Sequence, residues 1–291
     1  MNEEIRKYEE QPVVINRNHS LGLTFLLDQS RSMADPLGGH EGMTKAQALA
    51  DAVNRFLQEL CVTCTKGLGE IRDYFYLTII GYGGELTPDS AKFLLTGGEN
   101  GKNIPISWIF KNSLRLEKRK VKICDGAGGI FEGEINFPVW FDPVSVDGTP
   151  MCKALGMAKD IAKKWVDAHP DCLPPTVFNF TDGEATDGDP EPIAEEIKQF
   201  SNQYGNVLLF NFHLSETSAP PIEFPNREDS LPDEFTEKLF RMSSVMPRYM
   251  IKRANSLESL NLPDNAKSFV FNENPVSLIN FLSFLVVGPL L

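Results

Sequence analysis

The sequence predicts an α/β protein with a doubly wound, mostly parallel central sheet that is flanked by helices. Two observations predict this class. Short apolar runs of strand length alternate with longer segments whose apolar residues recur at helical spacing, and this alternation is typical of a parallel sheet covered on both faces. The 291 residues are 42% hydrophobic, which provides enough apolar material for a large core and excludes global disorder.

The first half of the chain begins this pattern with three segments. Residues 21–27 form a nearly unbroken apolar run, as expected for a strand buried on both faces. Residues 43 to about 60 predict a helix, because their apolar side chains recur every three or four positions (Ala46, Leu49, Ala50, Val53, Phe56, Leu57 and Leu60). Residues 74–82 are rich in aromatic and branched side chains and predict the next strand.

The second half continues the alternation. Helical spacing returns over residues 150 to about 166, followed by apolar strand segments at 176–180 and 207–214, with a predicted helix over 190–202 between them. Residues 268–271 predict a last short strand. A last helix is predicted from residue 275 onward, where the apolar tail 279–291 is interpreted as a terminal core helix.

We expect one domain over residues 1–291, with residues 1–20 as an N-terminal extension. Residues 85–147 interrupt the alternation, since they are rich in glycine and contain strand-like runs at 121–124 and 130–141 but no strong helix. An unstructured loop of that length is uncommon in a compact domain. We therefore interpret this stretch as a β-rich insertion, and residues 220–232 as a surface loop.

Charge and composition narrow the class of function. The formal net charge is −12, which disfavours nucleic acid and anionic lipid surfaces as partners. The short basic stretch around Arg119 is interpreted as a solvated strand edge.

Five cysteines are too few and too scattered for a disulfide framework, and Cys61 and Cys64 are expected to be small buried residues of a helix. We expect no secretory signal, because the first ten residues are charged and lack an apolar segment, and no apolar run reaches the roughly 20 residues that span a bilayer. We expect a cytoplasmic protein without a membrane span.

Polar residues follow strand ends or open helices at three places. The sequence DQSRS at 28–32 follows the first strand, DGTP at 147–150 precedes the central helix, and TDG at 181–183 follows the strand at 176–180. In an open parallel sheet the carboxyl ends of the strands form the ligand crevice. The three segments are therefore expected to converge although they are far apart in sequence.

The convergent side chains offer only oxygen: the carboxylates of Asp28 and Asp182 and the hydroxyls of Ser30, Ser32 and Thr149. Hard oxygen ligands in a small octahedral cage select Mg²⁺ or Mn²⁺, with Ca²⁺ as the alternative if the cage is looser.

In these residues the sequence resembles the von Willebrand A family, which has a Rossmann-like fold and a metal-ion-dependent adhesion site. That site is written Asp-x-Ser-x-Ser, then a distant Thr, then a distant Asp, and all three elements are present here in that order. The stretches at 148–151 and 181–184 resemble bacterial intracellular members of tellurium-resistance-type clusters, which are encoded near a metal-dependent protein phosphatase and a kinase-like protein.

The resemblance implies a binding module, not an enzyme. In the family the hydroxyls touch the metal directly and the aspartates act largely through water or from one side. Neutral ligands leave part of the ion's positive charge uncompensated, so its open coordination position favours a Glu or Asp carboxylate of a partner protein. We expect an adaptor in a bacterial signalling or stress-response complex, with the phosphatase or the kinase-like protein as candidate partners.

Three alternatives remain open at this stage. The residues have structural interpretations: Thr149 as the N-cap of the helix at Pro150, the two serines as caps of a turn, and Asp182 as a turn residue. The protein could be a metal-dependent hydrolase or phosphatase, or a degenerate domain that binds through its insertion. Asp189 is interpreted as an N-cap, and the glycine-rich residues 81–84 as a turn.

Overall fold

A computed structural model of the chain describes residues 14–38, 42–67, 69–84, 87, 89–98, 100–124, 130–216, 219–257, 260–273, 281 and 283. Most of the N-terminal extension (residues 1–20) and nearly all of the last helix expected from residue 275 lie outside the described residues. No helix among the described residues is long and apolar enough to cross a membrane.

The elements are given in chain order. The strands of the described residues are β1 (Leu21–Asp28), β2 (Thr65–Lys66), β3 (Glu70–Ile71), β4 (Phe75–Tyr82), β5 (Ala91–Phe93), β6 (Ile104–Pro105), β7 (Arg115–Cys124), β8 (Ile130–Val139), β9 (Leu173–Thr181), β10 (Ser201–Asn202), β11 (Gly205–Asn206), β12 (Leu208–His213), β13 (Ile222–Glu223) and β14 (Phe269–Phe271). The α-helices are α1 (Lys45–Cys64), α2 (Ile106–Lys111), α3 (Met151–Ala168), α4 (Glu191–Gln199), α5 (Glu234–Met242) and α6 (Arg248–Leu257).

The central sheet has the strand order β13-β14-β12-β9-β1-β4-β5, and β6 also pairs with β4. The neighbours from β14 to β4 are all parallel, whereas β13, β5 and β6 pair antiparallel at the two edges. The predicted fold class, a mostly parallel sheet flanked by helices, is confirmed.

Helices cover both faces of the sheet because the central strands are apolar on both sides. Every residue of β1 is buried. Its Phe25 belongs to a core that also contains the apolar faces of α1 and α6, whereas Leu26 belongs to a second core with α3, α4 and α5. This two-sided burial is the physical reason why β1 is an unbroken apolar run.

Helix α1 begins with a capping box. The side chain of Thr44 accepts a hydrogen bond from the backbone N–H of Gln47 at 3.2 Å, and the Gln47 side chain accepts one from the N–H of Thr44 at 3.0 Å. The helix extends to Cys64, four residues beyond the predicted end. Cys61 and Cys64 are buried in its last turn, as expected, and burial raises the pKa of each thiol to about 12.

Residues 85–147 add β5 and β6 to the sheet at β4 and form a separate antiparallel hairpin from β7 and β8. The Arg119 guanidinium ion-pairs with Asp51 of α1 and lies 3.5 Å from the ring centroid of the buried Phe137. The strand β7 begins six residues before the predicted run, because charged side chains on both of its faces hide the alternation. The short helix α2 was not predicted, since six residues are too few for a helical period to stand out.

Other elements also differ from the prediction. The helix α4 ends at Gln199 and is followed by the small hairpin of β10 and β11. Helices α5 and α6, which lie between β12 and β14 in the chain, were not predicted, because each has only nine or ten residues. The 220–232 loop contains β13. Gly81 and Tyr82 end β4 and are not part of a turn, whereas Gly84 has the positive φ of +91° that a turn requires.

Candidate metal centre

The three polar segments meet at the carboxyl ends of the central strands. Strand β1 pairs with β4 on one side and with β9 on the other. The chain passes from β1 through α1 to β4, then returns through α3 to β9 on the opposite side of β1. The strand order therefore reverses between β1 and β9, and such a switch point opens a crevice at the carboxyl end of the sheet.

Asp28 ends β1 and is 2% exposed. Its Oδ1 accepts a hydrogen bond from the backbone N–H of Ser30 at 2.7 Å, and its Oδ2 accepts one from the Thr181 hydroxyl at 2.6 Å. Burial and the charge of nearby Asp182 raise the pKa of Asp28 to about 6, although these hydrogen bonds act in the opposite direction. Both oxygens of Asp28 are thus engaged by protein donors.

Ser30, Ser32 and Asp182 come together directly. The two serine Oγ atoms are 3.1 Å apart. The Oδ1 atom of Asp182 lies 2.8 Å from the Ser32 Oγ and 3.4 Å from the Ser30 Oγ. Because Asp182 immediately follows β9 and Ser30 follows β1, this cluster of three oxygens spans the two strands at the switch point.

Thr149 lies beside this cluster, next to Gly183. Its backbone N–H donates to the Thr186 hydroxyl at 2.9 Å, and its carbonyl accepts from the Thr186 N–H at 2.9 Å. A β-carbon at Gly183 would lie 4.0 Å from the Thr149 Oγ1 and 3.9 Å from the Ser32 Oγ. The missing side chain at Gly183 therefore leaves space that both hydroxyls border.

Thr149 does not cap the helix that follows it. The N-cap position of α3 is Pro150, which has no side-chain cap. Asp187 caps the helix instead, with its two carboxylate oxygens accepting from the N–H groups of Cys152 at 2.9 Å and Lys153 at 2.8 Å. The interpretation of Thr149 as an N-cap is therefore wrong.

The other capping interpretations have mixed outcomes. Ser30 occupies the N-cap position of a 3₁₀ turn, Arg31–Ala34, but its hydroxyl makes no cap hydrogen bond. Asp189 does accept a hydrogen bond from the N–H of Glu191 in the first turn of α4, at 3.2 Å, as expected for a cap.

Lys45 is a site residue that the sequence interpretation missed. It is 2% exposed, and its Nζ lies 2.5 Å from the Asp182 Oδ2 without the angles of a regular hydrogen bond. The Nζ also lies 3.0 Å from the Oε1 of Glu216. Burial opposes its charge, but Asp182 and Glu216 outweigh burial and raise the pKa of Lys45 above its ordinary value. Lys45 begins a helix, so no local pattern distinguishes it from a surface lysine.

His213 ends β12 next to the same carboxylate. Its ring stacks on Phe271 with centroids 5.1 Å apart. Burial lowers the pKa of His213 to about 4, against the opposing effect of the Asp233 and Asp182 charges. Its imidazole is therefore neutral at neutral pH, and Lys45 is the cation that faces Asp182.

The donor set fits a hard divalent cation. Among the described residues no group of three or more His, Cys, Asp or Glu side chains could hold a metal, so a metal here would depend on the hydroxyls. The cluster oxygens are separated by 2.8, 3.1 and 3.4 Å. Neighbouring oxygens around octahedral Mg²⁺ are about 2.9 Å apart. Asp182 Oδ1 belongs to this cluster, whereas both oxygens of Asp28 accept hydrogen bonds from Ser30 and Thr181.

Comparison with known proteins does not identify a family. No family model matches the chain, and no curated protein matches its sequence. Solved structures to which it is similar include proximal thread matrix protein 1 from the mussel byssus (13% identity, TM-score 0.47, covering 93% of this chain and 48% of that one). Others are the pilus adhesin SpaC from Lactobacillus rhamnosus GG (12%, 0.49, 97% and 31%) and the manganese-loaded TRAP protein of Plasmodium vivax (15%, 0.34, 69% and 59%). The chain spans less than two thirds of the length of each.

Proposed function

We propose that the chain is a metal-dependent protein-binding module of the von Willebrand A type, which uses a Mg²⁺ ion to bind a carboxylate of a partner protein. The observation that carries the proposal is the cluster formed by the Ser30 and Ser32 hydroxyls and the Oδ1 of Asp182 at the switch point of the sheet. Separate interpretations of these residues as caps do not account for their convergence.

Each residue has a distinct role in this proposal. Ser30, Ser32 and Thr149 would supply neutral hydroxyl oxygens, and Asp182 would supply one charged oxygen. Asp28 would act from behind, since both of its oxygens are hydrogen-bonded to Ser30 and Thr181. When bound, the ion supplies a concentrated positive charge that attracts an anionic oxygen. Mg²⁺ suits this set best, with Mn²⁺ or Ca²⁺ as alternatives.

The surface around the cluster supports a protein partner. Val146 is 44% exposed, and its N–H donates at 2.7 Å to the carbonyl of Gln29, the residue after β1. Arg31, between the two serines in sequence, forms an exposed ion pair with Asp147. Apolar side chains surrounded by a polar, solvent-exposed rim are the usual composition of an interface.

We propose binding and not catalysis for this site, because both carboxylates are already engaged by groups of the protein. Asp28 accepts from Ser30 and Thr181, and Asp182 is shared between the serines and Lys45.

We propose an adaptor in the bacterial cytoplasm, in a signalling or stress-response complex, with a metal-dependent phosphatase or a kinase-like protein as candidate partners.

Metal binding is the direct test. We expect the wild-type protein to bind Mn²⁺ or Mg²⁺ at one saturable site and to retain no Zn²⁺ specifically, as measured by calorimetry and Mn²⁺ paramagnetic resonance. Ser32→Ala and Asp182→Asn should weaken binding by about tenfold or more. The matched control Ser256→Ala removes an exposed hydroxyl that donates to the Lys252 carbonyl of its own helix and should bind as the wild type does. Absence of a saturable site in the wild type would refute the proposal.

Partner binding and turnover complete the test. Cross-linked complexes from native lysate should require Mg²⁺, disappear with EDTA and be absent with Ser32→Ala. Replacing a single Glu or Asp of the captured partner by its amide should abolish the interaction. A metal-dependent hydrolytic activity that is lost in Asp182→Asn would instead show that the protein is an enzyme.

A further inference from the structure

We propose that Lys45 is a built-in second cation of the metal centre, and that it makes metal binding and carboxylate binding depend on each other. This inference rests on the proposed metal-dependent function. It assigns to Lys45 a role as a positioning residue that sets the charge of the centre without touching the metal or the partner.

The buried position of Lys45 at the start of a helix is energetically unfavourable unless a negative charge compensates its ammonium group. It is the first residue of α1, where the helix dipole disfavours a cation. It is also 2% exposed, and lysine is rarely buried without a partner. Its ammonium nitrogen lies 2.5 Å from Oδ2 of Asp182. The carboxylate of Asp182 compensates both unfavourable features of this position.

Asp182 connects Lys45 to the proposed ligands. Its Oδ2 faces Lys45, while its Oδ1 accepts from the Ser32 hydroxyl at 2.8 Å. One carboxylate thus faces a permanent cation on one side and the hydroxyl cluster on the other. A metal at Oδ1 does not need to displace the ammonium, so both cations can be present together.

The charges of the buried groups explain the coupling. With both carboxylates ionised, Asp28 and Asp182 bring two negative charges and Lys45 brings one positive charge, so the centre without metal has one negative charge in excess. A divalent ion reverses this to one positive charge in excess, which one partner carboxylate neutralises. Without Lys45 the same ion would leave the centre neutral, with little attraction for a carboxylate. Glu216 counts only in part, because its side chain is 57% exposed and therefore screened.

The test measures Mn²⁺ affinity by paramagnetic resonance with and without acetate, the probe for a partner carboxylate. In the wild type, acetate should strengthen Mn²⁺ binding by about twofold or more. In Lys45→Met, Mn²⁺ alone should bind about tenfold more tightly, because a like charge near the ion has been removed, and acetate should have no effect. The control Lys163→Met removes a surface ammonium paired with Asp167 and should match the wild type.

A second variant keeps the test decisive if Lys45→Met fails to fold. Glu216→Gln leaves the pair of Lys45 and Asp182 in place and removes the negative charge 3.0 Å from the ammonium. The centre becomes more positive, so we expect Mn²⁺ to bind about two- to threefold more weakly and the effect of acetate to grow. The signs for the two variants are opposite, which a general loss of stability would not produce.

The outcomes separate this inference from the proposed function. Mn²⁺ binding that is unchanged or weaker in folded Lys45→Met, or unchanged in Glu216→Gln, would show that Lys45 serves only the packing of the fold. Absence of Mn²⁺ binding in the wild type itself would overturn the proposed function, and this inference with it.

Discussion

Single residues around the candidate centre are held by specific neighbours across the switch point. Thr181 donates to Asp28, Ser32 donates to Asp182, and Thr186 holds the backbone of Thr149 from both sides. Buried polar groups are costly unless they are paired, so these contacts hold the oxygens in place before any ion arrives. Preorganisation of this kind reduces the entropic cost of binding.

The first prediction concerns Thr149, which can be separated from helix capping by one substitution. Thr149→Asp should remove no helix cap, because Asp187 caps α3, so any loss in the free energy of unfolding should come from the buried carboxylate alone. The added negative charge should weaken the attraction for a carboxylate, so acetate should no longer strengthen Mn²⁺ binding. Thr149→Ser, which keeps the hydroxyl, is the control. An acetate effect of wild-type size in Thr149→Asp would remove Thr149 from the centre.

At the scale of elements, the loop between β9 and α4 links the centre to α3. Residues 183–189 of this loop contain Gly183, which borders the hydroxyls, Thr186, which bonds Thr149, and Asp187, which caps α3. One short loop therefore holds the start of a long helix and the position of a proposed ligand. The carboxylate of Asp187 lies at the N-terminus of α3, where it also interacts favourably with the helix dipole.

The second prediction follows from this double role. Asp187→Ala should lower the free energy of unfolding by about 1–2 kcal/mol, because two backbone N–H groups lose their acceptor. It should also weaken Mn²⁺ binding, since Thr186 and Thr149 would be held less firmly. Urea denaturation and paramagnetic resonance would measure the two effects.

Asp189→Ala is the matched comparison for Asp187→Ala, because Asp189 accepts a single hydrogen bond at 3.2 Å at the start of α4. We expect it to have the smaller effect on stability and none on Mn²⁺ affinity. Equal effects of the two substitutions on Mn²⁺ binding would contradict a specific role of Asp187.

At the scale of the whole molecule, a buried polar chain runs across the strands on the face of the sheet that α3, α4 and α5 cover. The Tyr82 hydroxyl donates to the Asn179 side-chain oxygen at 2.9 Å, and the Asn179 amide donates to Asn211 at 2.9 Å. The Asn211 amide then donates to the Ser243 hydroxyl at 2.9 Å. The chain joins β4, β9, β12 and the end of α5 through groups that are fully buried. Networks with every member paired specify one register among strands that are otherwise apolar.

The third prediction tests this chain. Asn179→Leu should lower the free energy of unfolding by about 1–3 kcal/mol, because the buried oxygen of Asn211 loses its donor while Tyr82 keeps its second bond to the Phe180 carbonyl. Urea denaturation measures the loss. Asn136→Leu, on the exposed side of β8, is the control and should change little. A loss equal to that of the control would show that the network contributes no stability.

The amino-acid sequence alone determines the fold class, and it predicts the oxygen donors of the candidate centre. A strand that is buried on both faces needs an unbroken apolar run, as in β1. A helix that is buried on one face needs apolar residues at helical spacing, as in α1 and α3. Both patterns lie within one element, so the sequence reveals them directly. Parallel strands end at one edge of the sheet, so the residues after β1 and β9 are expected to meet there. That expectation groups Ser30, Ser32 and Asp182, and the structure brings these three side chains together.

Only the tertiary structure decided which neighbours complete that group. Lys45 and Asp182 are far apart in the chain, and nothing near either residue indicates their ion pair. The same holds for Asp187, whose acceptor role at α3 depends on a loop from another strand. Short helices such as α5 contain too few turns for periodicity to indicate them. Local patterns record which side of an element is buried, whereas pairings between distant side chains depend on how the elements pack, and packing leaves no periodic trace in the sequence.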